Sequence, residues 1–382
     1  MTGDSKRLRD AALQHYKAGR FAEAIRLQMQ VVNAIGGLNP ASLDDQKRLA
    51  AFLFSAGDHA STAAVMGQVV KLAPDDAESL TNHGVALSRT GQFGEAATVL
   101  HRAVELAPDA VNTRDALAAA CYRLQQFDEA RAHGERSLEL KDAAAATGRA
   151  FPAPVSLPGF SDDDPTRNII AFSLWGDGRK YTEGAVANAE AQPLIYAGWT
   201  CRFYVDETVP EPVRQKLADL GAQVQMMTRK NPFDGLFWRF LPLNDGHTRH
   251  FLVRDADSMI NVRERAAVGE WLASGKAFHV MRDWWTHTEV MLAGLWGGVG
   301  GVLPPLTSLL NEFRPPSLAN WHIDQWFLRQ MVWPTARTSC LIHDSKFRCL
   351  GARDFPAGSE LPPGRHVGQD ASVHDQAMPG KV

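Results

Sequence analysis

Cysteine is scarce: Cys121, Cys201, Cys340 and Cys349 are the only four in 382 residues, and no two form a Cys-x-x-Cys pair. That spacing excludes a disulfide frame and a zinc ribbon. It fits reduced, mostly buried thiols of a cytoplasmic protein. An excess of charge is also missing. With 40 Lys and Arg against 43 Asp and Glu, the net charge is −3, and no basic footprint for nucleic acid exists. The opening MTGDSKRLRD lacks the apolar run of a secretory signal. Long hydrophobic stretches are rare too. One segment, 291–310, runs twenty residues without a charge, but it holds five glycines and Pro304-Pro305. These would break a spanning helix, so a buried glycine-rich turn region is expected there and no membrane span. The length allows two domains, and the composition, 45% hydrophobic and 22% charged, is that of a soluble globular chain.

What is present begins with a period. Gly57 recurs at Gly91, Phe93 at Phe127, Ala96 at Ala130 and Pro74 at Pro108, each 34 residues on. Leu72, Leu106 and Leu140 keep the same step, as do Ala50, Gly84 and Ala118. Small residues at a recurring position let paired helices approach closely, and the prolines stop the second helix of each pair. Four helix pairs are expected, at about 5–35, 43–73, 77–107 and 111–141. The first carries four extra residues, since Gly19 and Gly57 are 38 apart. This spacing, and the segment LTNHGVALSRTGQFGEAATVLHRAVELAPD, resemble the tetratricopeptide repeat family. An all-α solenoid over 1–142 follows, with a concave surface for another polypeptide or for self-association.

Residues 143–166 are rich in Ala, Pro, Ser and Asp and read as a linker. Strands then alternate with helices. Asn168–Leu174, Thr200–Val205, Ala222–Met227 and His250–Arg254 read as strands. A run to about Leu194, PEPVRQKLADLG and NVRERAAVGEWLASG read as helices. Over 167–355 this predicts a mostly parallel, Rossmann-like α/β sheet whose functional groups gather at the carboxyl ends of its strands. The segment 356–382 is Pro/Gly-rich and polar and is expected to be a disordered tail.

The sharpest local feature is FLVRDADSMIN, 251–261, where a buried run delivers Asp255 and Asp257 one position apart. Two carboxylates at i and i+2 of extended chain point the same way and can share a hard divalent cation, Mn²⁺ or Mg²⁺. The bland alternative is helix capping, for which Ser258 and Asn261 also qualify. A calcium loop fails because Met259 and Ile260 stand where oxygen and glycine are required. A phosphatase nucleophile is disfavoured because about 85 residues of α/β structure precede the pair.

YTEGA at 181–185, FWRF at 237–240, RDADS at 254–258 with RERAAV at 263–268, and HVMRD at 279–283 keep company with DQWFLRQ and a late HDS. Together they resemble nucleotide-sugar glycosyltransferases of the GT-A fold, in particular a bacterial group related to the glycogenin-like family, over about 168–346. The resemblance implies a GT-A-like domain in which Asp257 ligates Mn²⁺ or Mg²⁺, Asp255 assists at the metal or the ribose, and His343 is a third ligand. It implies that Leu174, Trp175, Gly176 and Tyr181 hold the base and ribose, and that Arg239 and Arg254 face the diphosphate or its sugar. Asp324 and Gln325 would lie beneath the donor sugar and, with Asp283, form the catalytic set. Trp284 and Trp285, which replace an expected His-Pro, and His287 would face the acceptor. The GGVGG at 297–301 fits either a close approach to phosphate or sugar or a tight turn. His343 after Leu341-Ile342 also fits a satisfied core histidine, and Asp324 a solvated helix acid. The implied activity is metal-dependent transfer of a hexose from a nucleoside diphosphate, UDP foremost, to a protein or saccharide acceptor, with retention favoured by the Asp-Gln pair alone. The alternative is a non-catalytic adaptor whose α/β half has degenerated.

Overall fold

A computed structural model of the chain describes residues 3–37, 39–152, 156–315 and 322–370. It divides into two compact units, Met1–Leu140 and Lys141–Val382.

The first unit is helical throughout: α1 (Gly3–Lys17), α2 (Phe21–Ala34), α3 (Leu43–Ser55), α4 (His59–Leu72), α5 (Ala77–Arg89), α6 (Phe93–Leu106), α7 (Val111–Arg123) and α8 (Phe127–Ala145), the last running through the unit boundary. Each pair reverses on a left-handed residue, with φ of 71° at Gly19, 81° at Gly57 and 80° at Gly91. The fourth pair uses Gln125 in that slot at φ 61°, a conformation costlier for a residue with a Cβ. Ala50 and Ala118 are buried where helices meet. At the equivalent Gly84 even a methyl group would stand 2.5 Å from Leu100 Cγ. The four extra residues of the first repeat fall between α2 and α3, where Asn39 caps a 3₁₀ turn over Pro40–Ser42.

The second unit is built on seven strands: β1 (Asn168–Leu174), β2 (Thr200–Val205), β3 (Gln223–Met226), β4 (His250–Val253), β5 (Phe278–Arg282), β6 (Trp296–Val299) and β7 (Cys340–Asp344). Their order is β3-β2-β1-β4-β6-β5-β7. Only β6 runs antiparallel to its neighbours, pairing with β4 and β5. Connecting helices include α9 (Arg179–Ile195), α10 (Glu211–Asp219), α11 (Asp234–Trp238), α12 (Val262–Ser274), α13 (Leu306–Glu312), α14 (Ile323–Phe327) and α15 (Trp333–Ala336), with a π turn at Leu328–Val332 between the last two. Every residue of β1 and of β4 is buried, as befits central strands covered on both faces.

The expected buried, glycine-rich turn region holds in part, and two other expectations change. The uncharged stretch 291–310 contains β6 and the start of α13, and no helix among the described residues is long and apolar enough to cross a membrane. Within it, Gly297 and Gly298 form no turn. They lie inside β6, where a Cβ on Gly297 would come 2.6 Å from the Phe251 carbonyl oxygen and one on Gly298 would come 2.9 Å from the Phe251 ring. The expected linker is tied to the second unit: Phe151 N–H donates to Thr335 Oγ1 at 2.9 Å, and Phe160 stacks on Trp199. The expected tail is folded as far as Asp370. Val367 is fully buried, and Asp370 bridges to Ser258. Residues 371–382 lie outside the described residues.

Candidate functional site

The strand order turns back on itself between β1 and β4: β2 and β3 extend to one side of β1, and β4 begins the other. At such a switch point the loops leaving the two carboxyl ends diverge and open a crevice. The loop after β1 carries Leu174, Trp175 and, at the start of α9, Tyr181; the loop after β4 carries Asp255 and Asp257. These residues, with Ser173, Leu236, Arg239 and Ala256, line a cleft of about 550 Å³. A second cavity of about 260 Å³ shares Leu236, Arg239 and Asp255 with it and adds His287, Gly294, Asp324, Gln325 and Gly368.

Charge is arranged as two bridges. Arg239, almost fully buried, donates one guanidinium nitrogen to Asp255 and another to Asp324 at 2.8 Å. Lys180 Nζ sits 2.6 Å from Asp257 and 2.6 Å from Asp370. Two cations of the protein itself therefore offset the repulsion between the adjacent acids. Burial raises the Asp257 carboxyl above its ordinary range, and Asp255 adds to that while Lys180 opposes it. Burial likewise raises Asp324, against the pull of Arg239. Burial lowers the Lys180 ammonium, but its contacts to Asp257 and Asp370 outweigh this and hold it above the usual lysine range.

The acids are not helix caps. Asn261 caps α12, its side chain accepting from Glu264 N–H at 3.0 Å. The 255–258 turn is instead gripped from α9. Asn188 donates to the Ser258 carbonyl at 3.0 Å and accepts from Ile260 N–H at 2.9 Å. A Cβ on Gly184 would lie 2.3 Å from the Ala256 carbonyl oxygen, and one on Gly294 would lie 2.1 Å from Asp255 Oδ2. Trp175 is seated the same way, over Gly235, where a Cβ would come 2.6 Å from its ring. Gly176, at φ 76°, turns the chain, and its N–H donates to Thr208 Oγ1.

Several expected members of the site lie elsewhere. Arg254 does not face the cleft. It is buried against Glu264 of α12 at 3.2 Å and donates to the Val253 and Trp296 carbonyls. Side chains alternate across extended chain, so Arg254 and Asp255 cannot both point into one crevice. Asp283 is held by Nε and one Nη of Arg263, at 2.9 and 3.0 Å, and accepts from Val367 N–H, lining neither cavity. His343 is not beside the acid pair. Its Nε2 meets Glu270 at 3.0 Å and its Nδ1 meets His279 at 2.9 Å, and burial lowers its pKa. Trp284 stacks on His366 with centroids 4.5 Å apart, and Trp285 packs on Phe347. Of the acceptor group only His287 reaches the second cavity, its imidazole pushed down to about 3 by burial.

Lys180, Gly184, Asn188, Gly294 and Asp370 were not anticipated from sequence. Lys180 adjoins the recognised YTEGA segment, and its position one helical turn before Gly184 was the available signal. Asp370 sits 113 residues beyond Asp257 in a stretch that reads as tail, and nothing local marks it.

The tetratricopeptide repeat family matches residues 75–143, so the chain carries a tetratricopeptide repeat region followed by a mixed α/β sheet unit. No curated protein matches. Among solved structures, the chain is similar to MamA from Desulfovibrio magneticus RS-1, at 21% identity and TM-score 0.33 over 36% of this chain and 76% of that one. It is similar to a mutant O-GlcNAc transferase of Thermobaculum terrenum, at 20% identity and TM-score 0.41 over 66% of this chain and 47% of that one. A third is YrrB, described as a tetratricopeptide protein with an unusual peptide-binding site, at 15% identity and TM-score 0.33 over 36% of this chain and 68% of that one.

Proposed function

We propose that the α/β unit is a GT-A-like glycosyltransferase that binds a nucleoside diphosphate sugar, UDP-linked foremost, in the cleft between β1 and β4. The observation that carries this reading is the pair of adjoining cavities divided by Arg239 and Asp255. The larger has an aromatic wall, Trp175 and Tyr181, suited to a base, and an acidic floor. The smaller, with Gln325, Asp324 and His287, has the size and polarity for a sugar and an acceptor hydroxyl. A non-catalytic adaptor gives no reason to bury Arg239 between two carboxylates beside such a cleft, since buried charge is held at a cost in stability.

The donor set at 255 and 257 fits Mn²⁺ or Mg²⁺: both ligands are hard carboxylate oxygens at a cleft mouth, with room for phosphate oxygens to complete the shell. When bound, such an ion neutralises charge that develops on the departing diphosphate. Asp255 and Asp257 would hold it, without His343. Arg239 stays buried and oriented by Asp324, presenting fixed positive charge to the same developing negative charge. Lys180, now engaged by Asp257 and Asp370, is a third cation at the diphosphate position. That arrangement supports a second reading in which Lys180 alone carries the leaving-group charge and no metal is needed. Gln325 faces the smaller cavity beside the engaged Asp324 and would position the sugar, with His287 opposite the acceptor hydroxyl; transfer with retention remains the stereochemistry favoured by the Asp-Gln pair. The repeat array would recruit a protein acceptor or a pathway partner.

The test is hydrolysis and transfer from a panel of nucleotide sugars, with Mn²⁺ and with chelator, in the parent and in Asp257→Asn. The expected result is metal-dependent turnover that falls about 10²-fold or more in the variant. Turnover indifferent to chelator but abolished in Lys180→Met selects the second reading. No turnover of any nucleotide sugar, and no binding of the nucleoside diphosphate, overturns both.

A further inference from the structure

Three side chains of the helical array converge in a way its packing does not require. His101 on α6 places Nε2 3.0 Å from Glu129 Oε1 of α8, and His133, one turn along α8, places its own Nε2 4.0 Å from the same oxygen. The ligand atoms of all three lie within 4.8 Å of one another. Four-coordinate zinc, at about 2.0–2.1 Å from nitrogen and oxygen, wants its ligand atoms roughly 3.3 Å apart, so rotamer adjustment alone closes the set. Each of the three is partly exposed, which gives an ion a route in. A fourth element points to the same place. The Cys121 thiol, fully buried on α7, faces the Glu129 carboxylate. One carboxylate and two imidazoles therefore face a common point, with the thiol, outside that set, contacting the carboxylate.

One cation is nearby. Arg114 Nη1 lies 3.2 Å from His133 Nδ1, while its Nε donates to the Pro108 carbonyl at 2.6 Å. An arginine donating to Nδ1 fixes the tautomer that carries hydrogen on Nε2, the nitrogen turned toward Glu129. Coordination through Nε2 moves that hydrogen to Nδ1, so the arginine contact must give way.

We propose that His101, Glu129 and His133 form a binding site for a borderline divalent transition metal, Zn²⁺ in particular, that staples the third and fourth helix pairs and leaves one coordination position open. Two imidazoles and one carboxylate are a recurrent zinc set with an open position, and neither thiolate-rich nor all-oxygen sites share its preference. The proposal is independent of the activity assigned to the α/β unit.

The experiment is calorimetric titration of the full chain with ZnCl₂ alone, in an Asp257→Asn background so that the cleft acids do not contribute. The expected result is one saturable site, weakened about tenfold or more by His101→Ala and by His133→Ala, with circular dichroism unchanged because both residues are partly exposed. Arg114→Gln removes the competing donor and its like charge, and it should tighten binding. Zn²⁺ should also raise the thermal midpoint of the array in the parent and leave the double histidine variant unmoved. Absence of a saturable site, or a site that survives loss of both histidines, overturns the proposal. An Arg114→Gln variant that binds no tighter overturns the role given to that arginine.

Discussion

The two units bury different things. Among the described residues the helical array hides alanines, leucines and valines, and a single acid, Asp45, which Arg9 and Gln28 satisfy. The sheet unit hides Arg202, Asp206, Arg239, Arg254, Glu264, Arg282, Asp283, Asp324 and Asp344. Shape specifies the first and paired charge the second. A buried ion pair rarely stabilises more than apolar residues of equal volume would. The concentration of such pairs around the strand ends is therefore a mark of position: each holds one segment of the unit against another. Arg239 and Arg254 separate two uses of the same device. One stands between the cavities and orients Asp255; the other locks α12 to the sheet through Glu264, where Tyr196 also donates at 2.9 Å.

That contrast can be broken most strongly at Arg254. Arg254→Ala leaves Glu264 buried without its cation and should destabilise the sheet unit by about 3–5 kcal/mol, measured by denaturant unfolding. The double variant Arg254→Met, Glu264→Leu should recover most of that stability and keep the nucleotide binding proposed for the cleft. If the double variant folds but loses nucleotide binding, Arg254 belongs to the site after all.

Acid sharpens the comparison next. Burial holds His250 down at about 4 and lowers His279 far below its ordinary range. A histidine with a depressed folded pKa stays neutral in the native state while the unfolded chain takes up a proton below about 6.5. Its stabilising contribution is thus intact above that pH and drains away as pH falls toward 4, by up to about 1.4 kcal/mol per pH unit for each such group. Unfolding of the sheet unit measured at pH 7 and pH 5 should show this slope, and His250→Asn should remove one proton's share of it. An unchanged slope in the variant would mean that His250 titrates alike in both states.

The smallest effect belongs to the array. Gln125→Gly relieves the left-handed slot that Gly19, Gly57 and Gly91 already fill, and should stabilise the array by about 0.5–1 kcal/mol. A loss of stability would place the Gln125 side chain in an unsuspected contact.

The same contrast explains how much could be read from the amino-acid order. Helix pairs are local, so Gly57 and Gly91, Ala50 and Ala118, announce their roles at a fixed step, and the helix limits fall close to those expected. In the sheet unit the strands were legible because buried runs end in polar turns. Asp255, Asp257, Trp175 and Tyr181 were legible as strand-end groups, and the structure brings them to one cleft. Arg254, Asp283 and His343 stand beside the same recognisable segments, so the amino-acid order groups them with the site. Their side chains, however, turn toward Glu264, Arg263 and Glu270, partners fixed only by how α12 packs. Lys180 and Asp370 escaped for the opposite reason: their meeting depends on a distant segment folding back.

The most direct measurement is the anomalous signal of manganese in crystals grown with saturating Mn²⁺ and a nucleoside diphosphate. The account predicts an ion between the Asp255 and Asp257 carboxylates, with Lys180 drawn off Asp257 onto phosphate and the base against Trp175. Diphosphate seated in the cleft with Lys180 still on Asp257 and no manganese there would contradict the metal-assisted mechanism, and nucleotide bound anywhere else would contradict the site.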